Sequence, residues 1–214
     1  MDKRTEREFR GGKDADHGNM ISGEQYQSLE SWLLAAQANK DTTNAPKFIV
    51  SGSIIAPLSR QYCQEKATWR SLDGWAGYPR TLERLLAFIV AKQISKVVFV
   101  GGDAHISSVS RLRLENAGQA VVVSQIVSSG LYAPMPFANA HVEDYQWTSP
   151  HAIPTHHIET MKIVCTNKLL SDHYSQFVRV DARINTVTVT SFDKGSTRLA
   201  TTNLPLDGDA NDSW

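Results

Sequence analysis

The sequence is patterned as apolar runs separated by polar turns, most clearly between residues 47 and 127. Segments 47–51, 96–101 and 120–127 are almost uniformly apolar, which is typical of strands covered on both faces of a sheet. Between the first two, apolar residues recur every three or four positions after Pro79 and predict a helix over 80–93. The order strand, helix, strand predicts a right-handed βαβ crossover.

A second helix is predicted near the start of the chain. Ser22 followed by Gln25 has the spacing of a capping box, in which a hydroxyl accepts a hydrogen bond from the first helical turn. Tyr26, Leu29 and Leu33 then follow at helical spacing. We expect this helix to end at the polar stretch that precedes the first strand.

The carboxy-terminal third of the chain predicts antiparallel structure. Residues 176–181 and 186–192 alternate apolar and polar positions around a short turn, as in a β-hairpin. A short strand is predicted at Ile163–Cys165. Residues 107–114 fit a strand or a helix, and the pattern does not decide between them.

Four stretches predict irregular structure. Residues 1–20 are polar and charged and predict a mobile arm or a loop, and residues 59–78 predict a long surface loop. Residues 131–160 hold four prolines and predict irregular backbone. We expect residues 1–200 to form one domain and residues 201–214 a frayed polar tail.

These elements together predict an α/β fold with a mixed sheet and a C-terminal antiparallel hairpin. Of the 214 residues 41% are hydrophobic, enough for a packed core. Lysine and arginine number 22, as do aspartate and glutamate, so no general affinity for nucleic acid is expected. No apolar run is long enough for a membrane span, and the first residues lack the apolar core of a signal peptide. Compartment and oligomeric state stay open.

Asp103 and His105 are the strongest candidates for chemistry. They follow Gly101 and Gly102 directly at the end of an apolar strand, where ligands bind in open α/β sheets. A carboxylate and an imidazole two residues apart on a tight turn can both face one point, and this pair suits iron, manganese or zinc. The alternative is that Asp103 caps a turn and His105 is an ordinary polar loop residue.

Other candidates have weaker patterns. Arg4 could bind phosphate through a bidentate guanidinium or could belong to a solvated charge run. Trp75 and Tyr78 could line a substrate pocket or cover the core. The four histidines between residues 141 and 157 lack the spacing of a zinc site and favour a loop with neutral surface histidines.

Cys63 and Cys165 are too few for a disulfide framework and are interpreted as free buried thiols. Neither a Gly-x-Ser-x-Gly elbow nor a phosphate-binding P-loop occurs in the sequence. A nucleotide-binding module at the end of the second strand is a third interpretation, but it lacks a glycine fingerprint.

Six segments in the same order resemble the carboxy-terminal part of the PhoD-like metallophosphatases, the alkaline phosphatase D family. The resemblance covers residues 2 to about 192. The segments are Asp2–Arg7, resembling Asp-x-Arg-x-x-Arg; Gln25–Leu33, a helix; Ala56–Leu58; Asp73–Phe88; the metal motif Gly102–His105; and Ser128–Leu131.

The resemblance implies part of a metallophosphoesterase-type αββα sandwich that hydrolyses phosphate mono- or diesters, with small-molecule or polymer substrates. It also implies a multi-metal centre containing iron and often calcium, in which metals polarise the phosphoryl group. By matching position, Asp103 and His105 would be metal ligands, Arg4 would lie near the phosphate, and Trp75 and Tyr78 would belong to a substrate-facing loop.

Two departures from the family pattern limit this inference. Ala76 stands where the family has an acid. The family's other metal ligands belong to an amino-terminal half that nothing in this sequence matches, and two ligands are too few for a bimetallic site. The chain is therefore expected to be the inactive carboxy-terminal part of such an enzyme, or a degenerate, non-catalytic domain that binds metal weakly or binds a partner.

Overall fold

The structure is a computed structural model and describes residues 1, 5–8, 18–60, 63, 74–128, 130, 141–147, 149–173 and 176–208. Two α-helices and nine strands follow one another in the described residues. Their bounds are α1 Gly23–Ala38, β1 Lys47–Val50, α2 Pro79–Ala91, β2 Val97–Gly101, β3 Ser107–Asn116, β4 Gln119–Val127, β5 His151–Ile153, β6 Lys162–Ser171, β7 Gln176–Ala182, β8 Thr186–Asp193 and β9 Arg198–Pro205.

The larger sheet has six strands in the order β1-β2-β4-β3-β6-β5. Strands β1, β2 and β4 run parallel, whereas β3 runs antiparallel to both β4 and β6. Because β1 and β2 are parallel and joined through α2, the predicted βαβ crossover and the mixed sheet are confirmed.

Both helices pack on one face of this sheet. The hydroxyl of Ser22 accepts a hydrogen bond from the amide of Gln25 at 3.2 Å, which confirms the predicted start of α1. Pro79 begins α2, where a missing amide proton costs nothing. The apolar faces of both helices join the sheet in one core cluster, which includes Leu33, Leu85, Ile89, Phe99 and Leu112.

The opposite face of the larger sheet is covered by a second sheet. Strands β7, β8 and β9 form an antiparallel sheet in that order, which confirms the predicted hairpin and adds a third strand. Val187, Val189 and Leu204 pack against Val98 and Ile126 of the larger sheet. Val97 and Phe99 face the helices while Val98 faces the second sheet, which explains why β2 is apolar throughout.

The helices, the six-stranded sheet and the three-stranded sheet correspond to three successive layers of an αββα sandwich, and the fold class is α/β. Strand β9 runs through residues 201–205, which composition places in a frayed tail. In this strand Thr202 and Leu204 are buried and their neighbours are more exposed. The sequence does not predict the strand because this alternation is short and lies among polar residues. In the described part of the chain no helix has the length and apolarity to cross a membrane.

Two regions contain more strand than the sequence predicts. The undecided segment after residue 106 is strand β3, and β6 extends over ten residues instead of three. Polar positions of β6 are satisfied by neighbours: Asn167 accepts a hydrogen bond from Ser110 at 2.8 Å, and Lys168 donates to Thr202 at 3.1 Å. Tertiary contacts therefore stabilise a strand that lacks an apolar pattern of its own.

Replacing the fully buried Leu85 of α2 tests this packing of the core. Leu85→Ala removes apolar contacts and leaves a cavity, so we expect the free energy of unfolding to fall by about 2–5 kcal/mol. Leu34 of α1 is 42% exposed, and Leu34→Ala is the matched control, expected to change the value by less than about 1 kcal/mol. Urea unfolding measures both variants, and equal effects would contradict the assigned packing.

Candidate functional site

The candidate site lies at the edge of the sheet where three parallel strands end. Strand β1 ends at Val50, β2 at Gly101 and β4 at Val127. Because α2 returns between two parallel strands, its amino terminus lies at this same edge. Carboxyl ends of parallel strands and amino termini of helices are where α/β folds bind ligands, particularly anions.

Gly101 and Gly102 allow the ends of the neighbouring strands to approach closely. A Cβ atom on Gly101 would lie 2.9 Å from the carbonyl oxygen of Ser53, and one on Gly102 would lie 2.9 Å from that of Ser128. Both contacts are shorter than carbon and oxygen tolerate. The two glycines of the sequence pattern are therefore required by packing, because β2 is flanked on both sides by backbone.

Asp103 and His105 follow in left-handed backbone conformations, with φ angles of 68° and 57°. Neither residue is glycine, so each conformation costs about 1–2 kcal/mol. Ala104 and Ile106 are buried in a small cluster with Val127, whereas Asp103 is exposed and His105 half-buried. Burial of Ala104 and Ile106 fixes the turn so that the two polar residues reach the surface together.

Asp103 and His105 have the chemistry of metal ligands, but two side chains do not complete a metal site. Carboxylate oxygen and imidazole nitrogen are ligands of iron, manganese and zinc, and carboxylate oxygen also binds calcium. Within the described ranges no group of three or more histidine, cysteine, aspartate or glutamate side chains could hold a metal ion. The site as described is therefore short of the four or more ligands that each ion requires.

Trp75 and Tyr78, predicted to contact substrate or to cover the core, are both buried. Trp75 is fully buried in a 3-10 turn, Trp75–Gly77, and its indole nitrogen donates to the hydroxyl of Ser51 at 2.8 Å. The hydroxyl of Tyr78 donates to the carbonyl oxygen of Glu8 at 3.0 Å. Both side chains hold other segments at the site edge, and direct contact with substrate stays a prediction.

Gln125 is a buried polar residue at this edge that the sequence pattern does not reveal. It is fully buried, and its carboxamide oxygen accepts a hydrogen bond from the amide of Ile55 at 3.1 Å. Its nitrogen donates to the carbonyl oxygens of Ile126 at 2.9 Å and Phe99 at 3.4 Å. One side chain thereby ties the segment after β1 to β2 and β4. Gln125 lies within an apolar strand, and the pattern of apolar and polar residues around it does not indicate this role.

The described histidines between residues 141 and 157 do not form a group of three that could hold a metal ion. His141 and His157 are exposed, as predicted, but His151 is buried and stacks on Trp147 with ring centroids 3.5 Å apart. Burial, together with the guanidinium of Arg60, lowers the pKa of His151 from 6.5 to about 4. The prediction of neutral surface histidines is therefore wrong for His151, which is neutral because it is buried.

Glu83 is a second buried polar residue without a sequence signal. It is 2% exposed on α2, and its carboxylate accepts backbone hydrogen bonds from His156, His157 and Ile158 at 2.6–2.8 Å. The carboxylate charge is thus stabilised by three amide donors. This contact fixes the loop before β6 to the helix layer.

Three further predictions concern the segments around the site. Arg4 lies outside the described residues. Ala76, where the resemblance would place an acid, is buried in the core at 3% exposure. Cys63 and Cys165 are free thiols, half-buried and buried respectively, and burial raises the pKa of Cys63 to about 11.

Comparison with known proteins gives one consistent result. The family model described as PhoD-like phosphatase matches residues 2–171. Alkaline phosphatase D of Bacillus subtilis (strain 168) is 42% identical over 45 residues, which are 21% of this chain and 8% of that protein. The solved structure of PhoD matches with a TM-score of 0.55 at 15% identity, over 94% of this chain and 41% of that one. This structural likeness shows the fold alone, and the chain spans less than half of the length of either relative.

Adding one methyl group at Gly101 tests the close approach of the strand ends. We expect Gly101→Ala to lower the free energy of unfolding by about 1–3 kcal/mol, because the Ser53 carbonyl must move. Gly23→Ala is the matched control, since a Cβ there meets nothing within 4 Å. We expect the control to be neutral or slightly stabilising in urea unfolding. A harmless Gly101→Ala would contradict the packing at this edge.

His151 predicts an acid-dependent loss of stability. Its pKa is about 4 in the folded chain and 6.5 when unfolded, so between these values the unfolded chain binds more protons. The stability that neutral, buried His151 contributes to the folded chain is fully present above pH 6.5 and is lost as the pH falls towards 4. We expect His151→Phe, which retains the stack on Trp147, to lose less stability than the parent chain over this range.

The exposed His157 provides the control for this pH dependence. His157→Phe should retain the parent's loss of stability between pH 6.5 and 4, measured by urea unfolding at several pH values. A parallel pH dependence in the parent and in His151→Phe would show that His151 is not the responsible group.

Proposed function

Because the chain belongs to the PhoD-like phosphatase family, we propose that Asp103 and His105 are two ligands of a metal centre for phosphate ester hydrolysis. The substrates would be phosphate mono- or diesters, either small molecules or polymers. The metals would be iron and calcium. Iron binds both imidazole nitrogen and carboxylate oxygen, whereas calcium binds carboxylate oxygen.

The observation that carries this proposal is the strained turn. Two nearby polar positions adopt left-handed backbone at the carboxyl edge of a parallel sheet, and both are non-glycine residues. Strained positions cluster at functional sites, and this turn differs from other turns with positive φ in the chain, such as those at Gln93 and Ala117, in lying at the carboxyl ends of the parallel strands. Glycine would fit the same backbone without strain, but it would remove the carboxylate and the imidazole.

The proposed centre requires ligands beyond those that the described residues supply. The chain spans only 41% of the PhoD structure it matches, so a whole family member contains much that this chain does not. Two ligands leave an ion loosely held and its position undefined. We therefore expect the chain by itself to bind metal weakly and to lack hydrolytic activity.

A second candidate function is a non-catalytic domain that binds a partner. Two observations favour it: among the described residues no three histidine, cysteine, aspartate or glutamate side chains could hold a metal ion together, and β1 is the end strand of the six-stranded sheet. An exposed sheet edge can pair with a strand of another segment. Under this hypothesis, Asp103 and His105 cap the turn and bind no metal.

Metal titration separates the two functions. Under the metal-centre proposal, Asp103→Asn should weaken binding of both ferrous iron and Ca²⁺ by at least about tenfold, and His105→Ala should weaken binding of ferrous iron by a similar factor. Asp41→Asn and His157→Ala are matched controls at exposed positions outside the site and should bind as the parent does. Isothermal titration calorimetry measures the affinities. Equal binding by the parent and all four variants would favour the non-catalytic domain.

A hydrolysis assay with a chromogenic phosphodiester tests the expectation that the chain is inactive alone. We expect no turnover above background with iron and calcium added, because too few ligands hold the ions. Turnover that disappears in Asp103→Asn would overturn this expectation and would show that the site is complete.

A further inference from the structure

A layer of buried polar side chains lies between the two sheets, at the same edge as the candidate site. Its members are Ser107 of β3, Gln176 of β7 and Ser191 of β8, and each is fully buried. Both serine hydroxyls and both polar atoms of the Gln176 carboxamide have no hydrogen-bond partner among the described residues. Buried polar atoms are nearly always paired, with protein or with ordered water, so these four atoms require an explanation.

The alternation of each strand places these side chains between the sheets. Residues two apart in a strand share a face, and each polar residue lies two positions from an apolar residue that packs in the core between the sheets. The apolar residues are Val109, Val178 and Val189. Strands β3 and β7 are also in contact across the two sheets. The polar layer therefore continues the apolar core that the two sheets share.

The strand register puts this layer at the edge that carries Asp103 and His105. Ser107 begins β3 two residues after His105, at the edge where β4 ends. It pairs with Ser171, the last residue of β6, and β7 begins at Gln176 five residues later. Gln176 in turn pairs with the last residue of β8. The polar layer thus lies directly behind the turn of the candidate site.

Both serines lie at β-bulges, which is a second observation independent of the unpartnered atoms. The pairing of β3 with β6 shifts its register between Ser107 and Ser108, and the pairing of β8 with β9 shifts between Ser191 and Phe192. A bulge disrupts the hydrogen-bond ladder and redirects side chains, and bulges are frequent next to functional sites. Each of the two facing sheets therefore interrupts its regular pairing where the polar layer lies.

The chemistry of the layer suits water better than a metal ion. Hydroxyl and carboxamide groups carry no net charge, and both donate and accept hydrogen bonds, as water does. Metal sites in proteins generally contain carboxylate, imidazole or thiolate ligands, and the three side chains supply none. The neighbouring carboxylate of Asp193 accepts a hydrogen bond from the amide of Thr197 at 2.7 Å.

We propose that this layer is an internal water site, in which roughly one or two ordered water molecules bridge Ser107, Gln176 and Ser191. A buried water forms about three hydrogen bonds, so this number satisfies the unpartnered atoms. The bridge joins the start of β3 to the second sheet and supports the turn that carries His105. The inference requires neither a metal ion nor a phosphate ester, so it stands or fails separately from the proposed function.

A crystal structure of the full chain, at a resolution that shows ordered water, tests the site directly. We expect water within about 2.6–3.2 Å of the Gln176 carboxamide and of at least one of the hydroxyls of Ser107 and Ser191. Direct hydrogen bonds among the three side chains, with no water between them, would overturn the proposal. A metal ion in the layer, or a layer without bound water, would overturn it as well.

Urea unfolding of Gln176→Met measures whether the amide atoms are satisfied. Methionine keeps approximately the size of the side chain and removes both polar atoms. If water binds these atoms, hydrogen bonds are lost and the urea midpoint should fall by about 0.5 M. Gln119→Met, at an exposed position of β4, is the matched control and should leave the midpoint unchanged. If the amide atoms are unsatisfied, their removal relieves a penalty, so an unchanged or raised midpoint in Gln176→Met would contradict the proposal.

A double variant tests whether the side chains share a water. Ser107→Ala and Gln176→Met disrupt the same bridge, so together they should lower the midpoint by clearly less than the sum of their separate effects. Ser28→Ala, at an exposed position of α1, replaces Ser107→Ala in the control pair, and its effect should add to that of Gln176→Met. Full additivity of Ser107→Ala and Gln176→Met would overturn the shared water. It would leave the metal-centre proposal standing, because neither variant removes a proposed metal ligand.

Discussion

The structure depends on one steric constraint, the close approach of backbone on both sides of Gly101 and Gly102. Only positions without a Cβ atom let the carbonyls of Ser53 and Ser128 come this close to the end of β2. The three parallel strands can therefore end together, and the chain must turn sharply at the next residue. The left-handed Asp103 and His105 occupy that turn. The two glycines that the packing requires therefore directly precede the residues that could bind a ligand.

Burial on both faces of the larger sheet supports this edge. Helices cover one face and the three-stranded sheet covers the other, so β2 is immobilised by apolar contacts along its length. Side-chain hydrogen bonds fix the segments where the strands end. Gln125 connects the segment after β1 to β2 and β4, and the indole of Trp75 donates a hydrogen bond to the hydroxyl of Ser51. A functional site of defined geometry needs a rigid strand and hydrogen bonds that fix the segments following the strands.

Sequence reasoning predicts the parts of this fold in which burial imposes a period. Helix α2, strands β1, β2 and β4 and the β7–β8 hairpin follow from apolar spacing, and the Asp103–His105 turn follows from its place after β2. The length of β6, the strand β9 and the burial of His151 do not, because they depend on partners distant in sequence. The roles of Gln125 and Glu83 are not predicted either. Gln125 is a polar residue within an apolar strand and Glu83 is one of several charged residues on α2, and the groups that they bind lie mainly on other segments.

The proposed metal centre requires Asp103 and His105 to bind the same ion. Crystals of the chain grown with ferrous iron or Ca²⁺, with anomalous scattering used to locate the metal, test it most directly. We expect one metal peak within about 2.0–2.6 Å of an Asp103 carboxylate oxygen, with the His105 imidazole also coordinating iron. Metal bound elsewhere, with Asp103 and His105 contacting only protein atoms in the same turn, would contradict it.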